Sequence, residues 1–152
     1  MRTELAKALD WGKAHADFDK AVDGFPPRLR GRRVRGLPYT AWQLLEHLRI
    51  AQHDILDFST NADYVEIAWP DDYWPKQAAP PDVRAWDRSV AAFRRDRATL
   101  KKLAANPRVN LSKRIPHGSG QTLLREILLV IDHNAYHVAE IIVLRRLLGI
   151  WK

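Results

Sequence analysis

Residues 123–148 read LLREILLVIDHNAYHVAEIIVLRRLL, and this stretch decides the fold class. Its apolar residues recur every three or four positions, which is the spacing of one face of an α-helix. One apolar face comprises Leu124, Ile127, Leu128, Ile131, Ala135, Val138 and Ile142, and a second comprises Leu123, Val130, Ile141, Leu144 and Leu148. A helix that is apolar on two sides lies centrally or packs against several partners. The stretch therefore predicts the long core helix of an all-α protein, which begins after Gly118-Ser119-Gly120 and continues to about Leu148.

Three further helical segments lie upstream, separated by stretches rich in glycine and proline. They run from about Arg2 to Asp23, from Thr40 to Thr60 and from about Pro81 to Ala105. Thr40 is a candidate N-cap, because its hydroxyl can accept a hydrogen bond from a free amide of the first turn. Four such helices in 152 residues predict a four-helix bundle in one domain that spans residues 1–152.

The apolar spacing also predicts which side chains of these helices are buried. The buried set comprises Leu44, Leu48, Ala51, Ile55 and Phe58 on the second helix and Val83, Trp86, Val90, Phe93, Leu100 and Ala104 on the third. Between them, residues 61–80 contain Trp69, Tyr73 and Trp74. Such an aromatic segment is not a free linker, since large aromatic side chains gain much from burial. We expect it to pack over one end of the bundle.

The composition excludes several kinds of site. The chain has no cysteine, so it has no disulfides, thiolate ligands or cysteine nucleophiles, in agreement with a cytoplasmic location. No apolar run approaches the roughly 20 residues of a membrane span, and the N-terminal residues are too polar for a signal peptide. We therefore expect no membrane association.

The densest basic run, Arg28–Arg35, belongs to a chain of net charge +7. Basic runs can bind nucleic acid, but no DNA- or RNA-binding motif surrounds this one. It follows Pro26-Pro27 and precedes Gly36, so we interpret it as a solvated loop between helices. The alternative is a site for an anion or an acidic partner at the mouth of a cleft.

Three histidines form a candidate metal site. His133 and His137 are four residues apart and so share one face of the core helix, and His47 lies on the inward arc of the second helix. Three imidazole ligands leave coordination positions open for water or substrate, as in a catalytic site. The predicted occupant is one divalent metal ion, and imidazole suits Zn, Ni, Cu and Fe alike. The alternative is a set of buried histidines that hydrogen bond to backbone or carboxylate groups.

The other three histidines are weaker candidates. His53 projects to the outer face of the second helix, and His117 lies in a loop. His15 lies beside Trp11 on the first predicted helix and has Asp19 four residues further along. We interpret His15 and Asp19 as an ordinary pair on a helix face.

Two charged residues lie among apolar positions. Asp54 shares the stripe of His47, where it can orient a ligand, bind water or serve as a buried hydrogen-bonding carboxylate. Arg97 lies in the apolar stripe of the third helix. We interpret its alkyl stem as packed and its guanidinium as reaching water, and the alternative is a cation that holds a substrate carboxylate or phosphate.

Several segments together resemble the DinB-like superfamily. The resemblance rests on YTAWQLLEHL at residues 39–48, GQTLLRE at residues 120–126 and DHNAYH at residues 132–137. The loop from Trp69 to Trp74 and the LLGIW sequence at residues 147–151 resemble one bacterial branch of it. The resemblance covers nearly the whole chain.

This resemblance implies a four-helix bundle with a long crossover connection, often assembled as a homodimer. It also implies a metal triad at the positions of His47, His133 and His137. Relatives include thiol-dependent transferases that use bacillithiol or mycothiol, and a maleylpyruvate isomerase. We therefore expect a metal-dependent hydrolase or thiol transferase that acts on a small-molecule substrate or thiol cofactor. The alternative is a non-catalytic metal-binding or small-molecule-binding protein, for example in a stress response.

Overall fold

The computed structural model describes residues 1–10 and 14–151, and their regular secondary structure is helical. The helices in these ranges are α1 (Arg2–Ala8), α2 (Phe18–Val22), α3 (Ala41–Thr60), α4 (Ala85–Ala105) and α5 (Leu123–Leu147). Two short 3-10 turns, Pro27–Leu29 and Asp71–Tyr73, lie in the connections. The described ranges contain no β-strand, and Arg114 and Thr122 form one isolated bridge. The prediction of an all-α fold is confirmed.

Two apolar clusters fill the interior and show how the helices run. One joins α2, the first halves of α3 and α4, and the second half of α5; it includes Phe18, Val22, Leu44, Leu45, Leu48, Trp86, Phe93, Val138, Ile141 and Leu144. The other joins α1, the ends of α3 and α4, and the start of α5; it includes Leu5, Leu9, Leu56, Leu100, Ala104, Leu123, Ile127 and Val130. It follows that α3 and α4 are parallel to each other and antiparallel to α5.

The first predicted helix, Arg2–Asp23, is not continuous. α1 ends at Ala8, and α2 begins at Phe18 after Asp17, whose carboxylate accepts from the amide of Lys20 at 2.8 Å. An aspartate N-cap favours a new helix start, because it satisfies an amide that has no partner within the helix. α1 packs against α4 and α2 against α5, so together they take the place of the first bundle helix. Residues 11–13 lie outside the described ranges.

The connection between α3 and α4 is the long crossover that the resemblance implied. Because α3 and α4 are parallel, the chain must return along the bundle before α4 begins. Residues 61–80, here called the crossover segment, run back beside α3: Tyr73 hydrogen bonds to Asp54, and the carbonyl of Ala78 accepts from Thr40. The prediction that this segment packs over one end of the bundle is wrong, since its contacts follow the length of α3.

α4 begins at Ala85, later than the sequence pattern indicated. Asp82 forms a turn in which its carboxylate accepts from the amide of Arg84 at 2.8 Å, and Val83 is 88% exposed. Val83 was therefore assigned wrongly to the core. The other predicted core residues of this helix, Trp86, Val90, Phe93, Leu100 and Ala104, are buried.

α5 is long enough and apolar enough to cross a membrane by length and composition alone, with a mean hydropathy of 1.5 in its most apolar part. The core helix of a bundle passes the same test, because it is apolar on more than one side. α5 has that position, since it packs against both α2 and α3.

Thr40 begins α3 with a capping box, as predicted for its hydroxyl. The amide of Gln43 donates to Thr40 Oγ1, and the amide of Thr40 donates to Gln43 Oε1, each at 3.2 Å. The Thr40 hydroxyl also donates to the carbonyl of Ala78 in the crossover segment at 2.6 Å. The same side chain therefore starts the helix and fastens the segment to it.

A Thr40→Ala variant is expected to lower the free energy of unfolding by about 1–2 kcal/mol, because it removes both the cap and the bond to Ala78. Urea denaturation checks the value. Thr99→Ala is the matched control, since the Thr99 hydroxyl only bonds back to the carbonyl of Arg95 on the exposed side of α4. Equal losses in both variants would contradict the role assigned to Thr40.

Candidate metal centre

α3 and α5 bring the three predicted histidines together. His47 Nε2 lies 3.0 Å from His133 Nε2 and 3.1 Å from His137 Nε2. His47 and His137 are buried, and His133 is partly buried. Three nitrogens that each lie 2.0–2.1 Å from one tetrahedral ion would be about 3.3 Å apart. The separations are close to that value, so the three rings could hold a metal ion between them.

Hydrogen bonds on the outer side of the rings fix the tautomers of two of the three histidines. His47 Nδ1 donates to the carbonyl of Tyr73 at 2.9 Å, and His137 Nδ1 donates to Glu140 Oε2 at 2.6 Å. A neutral imidazole with its proton on Nδ1 has a lone pair on Nε2. The Nε2 atoms of His47 and His137 therefore face each other with lone pairs, whichever tautomer His133 adopts. A cation between them removes this repulsion, so the donor set fits a metal ion.

Burial makes the rings resist protonation. It lowers the pKa of His47 to about 4, although the bond to Tyr73 opposes the shift and the nearby His137 adds to it. Burial likewise lowers the pKa of His133 to about 4, and the neighbouring rings of His137 and His47 lower it further. Both rings are therefore neutral at neutral pH, which is the state that binds metals. Within the described ranges, the buried Nδ1 of His133 has no hydrogen-bond partner.

An aromatic stack covers one face of His47. Trp74 lies parallel to the imidazole, with 3.8 Å between ring centroids and an angle of 4° between the planes. Tyr39 stacks on the other side of Trp74 at 3.8 Å. The crossover segment thus makes two contacts with His47. Trp74 shields one face of its ring, and the carbonyl of Tyr73 accepts a hydrogen bond from its Nδ1.

Asp54 lies on the same stripe of α3 as His47, seven residues further along, and holds two tyrosines of the crossover segment. Its carboxylate accepts from the hydroxyl of Tyr73 at 2.6 Å and from that of Tyr64 at 2.9 Å. Burial and the bond to Asp54 raise the pKa of each tyrosine well above its ordinary value, so both hydroxyls remain donors. Asp54 therefore serves as a hydrogen-bonding carboxylate, which is one of the three roles considered for it from the sequence.

A cleft of about 370 Å³ opens beside the triad at His133. This volume lies within the range of small-molecule sites. The polar and aromatic residues that line it are Asp54, Phe58, Tyr64, Glu66, Trp69, Tyr73, Gln121, Arg125, Glu126 and His133. His133 therefore joins the cluster of imidazoles to a space that can admit a ligand.

The other three histidines lie apart from the triad. His53 is exposed and pairs with Asp96 at 3.0 Å, and His117 bonds to the carbonyl of Phe58 at 2.8 Å. His15 is exposed and contacts the carbonyl of its neighbour Ala16. The predicted helix-face pair of His15 with Asp19 is wrong, because α2 begins only at Phe18. Trp11, expected beside His15, lies outside the described ranges.

Arg97 differs from both interpretations of its sequence position. Its side chain is 13% exposed, and its guanidinium pairs with Asp19 at 2.6 Å and lies 3.4 Å from Asp10. Burial alone would raise the pKa of Asp19, but hydrogen bonds from Arg97 and Arg94 outweigh it and lower that pKa. The side chain of Arg97 is thus largely withdrawn from water, and Arg97 does not belong to the lining of the cleft at His133. It ties α4 to the N-terminal part of the chain through carboxylates.

The basic run is largely exposed, as expected for a loop. Arg28, Arg32, Arg33 and Arg35 lie at the surface. Arg30 is the exception: it donates to the carbonyl of Phe25 at 3.2 Å and lies over the ring of Trp86 at 4.8 Å. Its cation therefore serves packing between the loop and α4.

Sequence reasoning missed three contributors to the centre. Glu140 lies three residues after His137, and that helical spacing was a usable signal. The sequence indicated that Trp74 packs against the bundle but did not indicate that it stacks on His47. The carbonyl of Tyr73 had no signal at all, because a backbone group leaves no trace in residue type.

A sequence model of the DinB superfamily matches residues 11–141, a region that contains α2 to α4, the crossover segment and all three histidines of the triad. Neither a curated protein nor a solved structure matches the chain. The match covers most of the chain, and the chain belongs to the DinB superfamily.

Proposed function

We propose that His47, His133 and His137 hold one divalent metal ion and that the protein is a metal-dependent hydrolase or thiol transferase. The observation that carries the proposal is the meeting of three Nε2 atoms, two of which have their Nδ1 protons held by Tyr73 and Glu140. Such a site supplies ligands without any cysteine. Three imidazoles leave room in the coordination sphere for a further group.

The cleft beside His133 is the proposed substrate site. A bound ion would polarise a carbonyl or lower the pKa of a bound water or thiol. Neighbouring residues orient the histidine rings: Trp74 covers His47, and Glu140 fixes the ring of His137. Arg125 lines the cleft, is 57% exposed and pairs with Glu126 at 2.7 Å; its remaining N–H groups would meet an anionic group of a substrate.

The alternative, a metal-binding protein without catalysis, has one observation in its favour. The carboxylates of Asp54 and Glu126 in the cleft already have partners, in Tyr64 and Tyr73 and in Arg125 respectively. Neither is therefore free to act as a general base. A catalytic role would then depend on the ion, on the substrate's own groups or on Glu66, the third carboxylate that lines the cleft.

Metal removal and reloading test the proposal. Purified protein is stripped with a chelator, reloaded separately with Zn²⁺, Ni²⁺, Mn²⁺ or Fe²⁺, and assayed with a panel of thiols, electrophiles and esters. Turnover that depends on the metal supports an enzyme. A large fall in melting temperature on chelation without turnover supports the binding protein. Absence of stoichiometric metal binding would overturn both.

A further inference from the structure

We propose that Asp54 is a positioning residue of the metal centre, which it supports by holding Tyr73, the residue whose carbonyl orients His47. This inference rests on the proposed function, because it concerns how strongly the triad binds an ion. Asp54 itself does not belong to the donor set, since the group of ligand atoms within 4.8 Å of one another consists of the three histidines.

Tyr73 contacts the site through two different groups. Its hydroxyl donates to Asp54 Oδ2 at 2.6 Å, and its carbonyl accepts from His47 Nδ1 at 2.9 Å. Asp54 and His47 lie seven residues apart on α3, which is two helical turns, so Tyr73 spans a fixed length of a rigid helix. Anchoring the hydroxyl at Asp54 therefore fixes where the carbonyl lies.

The carbonyl in turn selects the tautomer of His47. It can only accept a hydrogen bond, so it keeps the proton on Nδ1 and the lone pair on Nε2, toward His133 and His137. Other contacts hold the following residues of the segment: Gln43 donates to the carbonyl of Pro75 at 3.3 Å. At Tyr73 the backbone amide donates to the carbonyl of Pro70 at 3.2 Å, and the side chain is anchored at Asp54. Loss of Asp54 therefore loosens the position of the carbonyl beside His47.

The expected effect is a weaker metal site in a protein that still folds. Loss of a group that orients a ligand costs about 10–100-fold in metal affinity. Tyr73→Phe removes the hydroxyl and leaves the carbonyl, and Asp54→Ala removes its acceptor; both are expected to weaken Zn²⁺ binding about 10-fold. Asp54→Asn keeps an acceptor oxygen and is expected to restore affinity toward wild type.

Tyr64→Phe is the matched control. Tyr64 is the other tyrosine that donates to Asp54, at 2.9 Å, and this variant removes its hydroxyl. The ring of Tyr64 packs against Phe58 and His117, and its carbonyl does not orient His47. We expect its Zn²⁺ affinity to stay much closer to wild type than that of Tyr73→Phe. Melting temperatures of the metal-free variants, measured alongside, report any general damage to the fold.

The experiment is a Zn²⁺ titration against a chromophoric chelator, with the visible spectrum of the Co²⁺-loaded protein as a second readout. A weaker Zn²⁺ site and altered Co²⁺ bands in Tyr73→Phe, with both near wild type in Tyr64→Phe, support the inference. Wild-type affinity in Tyr73→Phe and Asp54→Ala overturns it and leaves the proposed function intact. Equal weakening in Tyr64→Phe overturns the route through the Tyr73 carbonyl. A wild-type protein that binds neither metal overturns the proposed function and this inference together.

Discussion

A His133→Ala, His137→Ala double variant is expected to contain no stoichiometric metal after purification. Both rings project their Nε2 atoms toward the position that a shared ion would take, and His47 alone is left to bind it. Loss of a residue that only supports a ligand lowers metal affinity by up to about 100-fold. Removal of two of the three ligands themselves should therefore lower the metal affinity by more than that. Elemental analysis of the variant beside the wild-type protein measures the result.

His53→Ala is the control for this experiment. His53 lies on the same helix as His47 but is exposed and pairs with Asp96. Its removal should leave the metal content unchanged. Equal metal content in the double variant and the wild type would rule out the triad as the binding site.

Acidification of the metal-free protein from pH 6.5 to pH 4 is expected to lower its free energy of unfolding by several kcal/mol. The pKa values of His47 and His133 fall from 6.5 to about 4 in the folded protein. Between these values the unfolded chain binds protons that the folded protein excludes, so stability falls as the pH falls. Each histidine contributes up to about 1.4 kcal/mol per pH unit, and because the rings interact their sum is an upper limit.

The contribution of these histidines is complete above pH 6.5 and is lost once the pH reaches about 4. Urea denaturation of chelator-treated protein at a series of pH values measures it. A His47→Gln, His133→Gln double variant lacks the titrating groups, so its stability should depend less on pH over this range. An identical pH dependence in the variant and the wild type would show that other groups are responsible.

The sequence was sufficient to predict the helical class and the meeting of the three histidines, because both depend on spacing along a helix; that these histidines bind a metal ion stays a prediction. The four-residue interval between His133 and His137 fixes their common face, and the inward position of His47 follows from its apolar neighbours. The buried residues of α4 followed from the same period. The prediction for Val83 failed because the apolar pattern extends into the Asp82 turn, which precedes the start of α4 at Ala85.

What the sequence did not predict depends on contacts between distant segments. The pairing of Arg97 with Asp10 and Asp19 needs the break between α1 and α2, which apolar spacing does not reveal. The path of the crossover segment follows from the parallel arrangement of α3 and α4, a property of the whole fold. The support of His47 by the Tyr73 carbonyl is a backbone contact, and residue types carry no information about it.

The wide separation of the triad along the chain has a consequence for unfolding. His47 is 86 residues from His133 and 90 from His137. An ion held by all three would close a loop of that length, as a disulfide does, in a chain that has no cysteine. Since the crossover segment lies inside this loop, a proteolytic nick there would leave the two fragments fastened together by the ion.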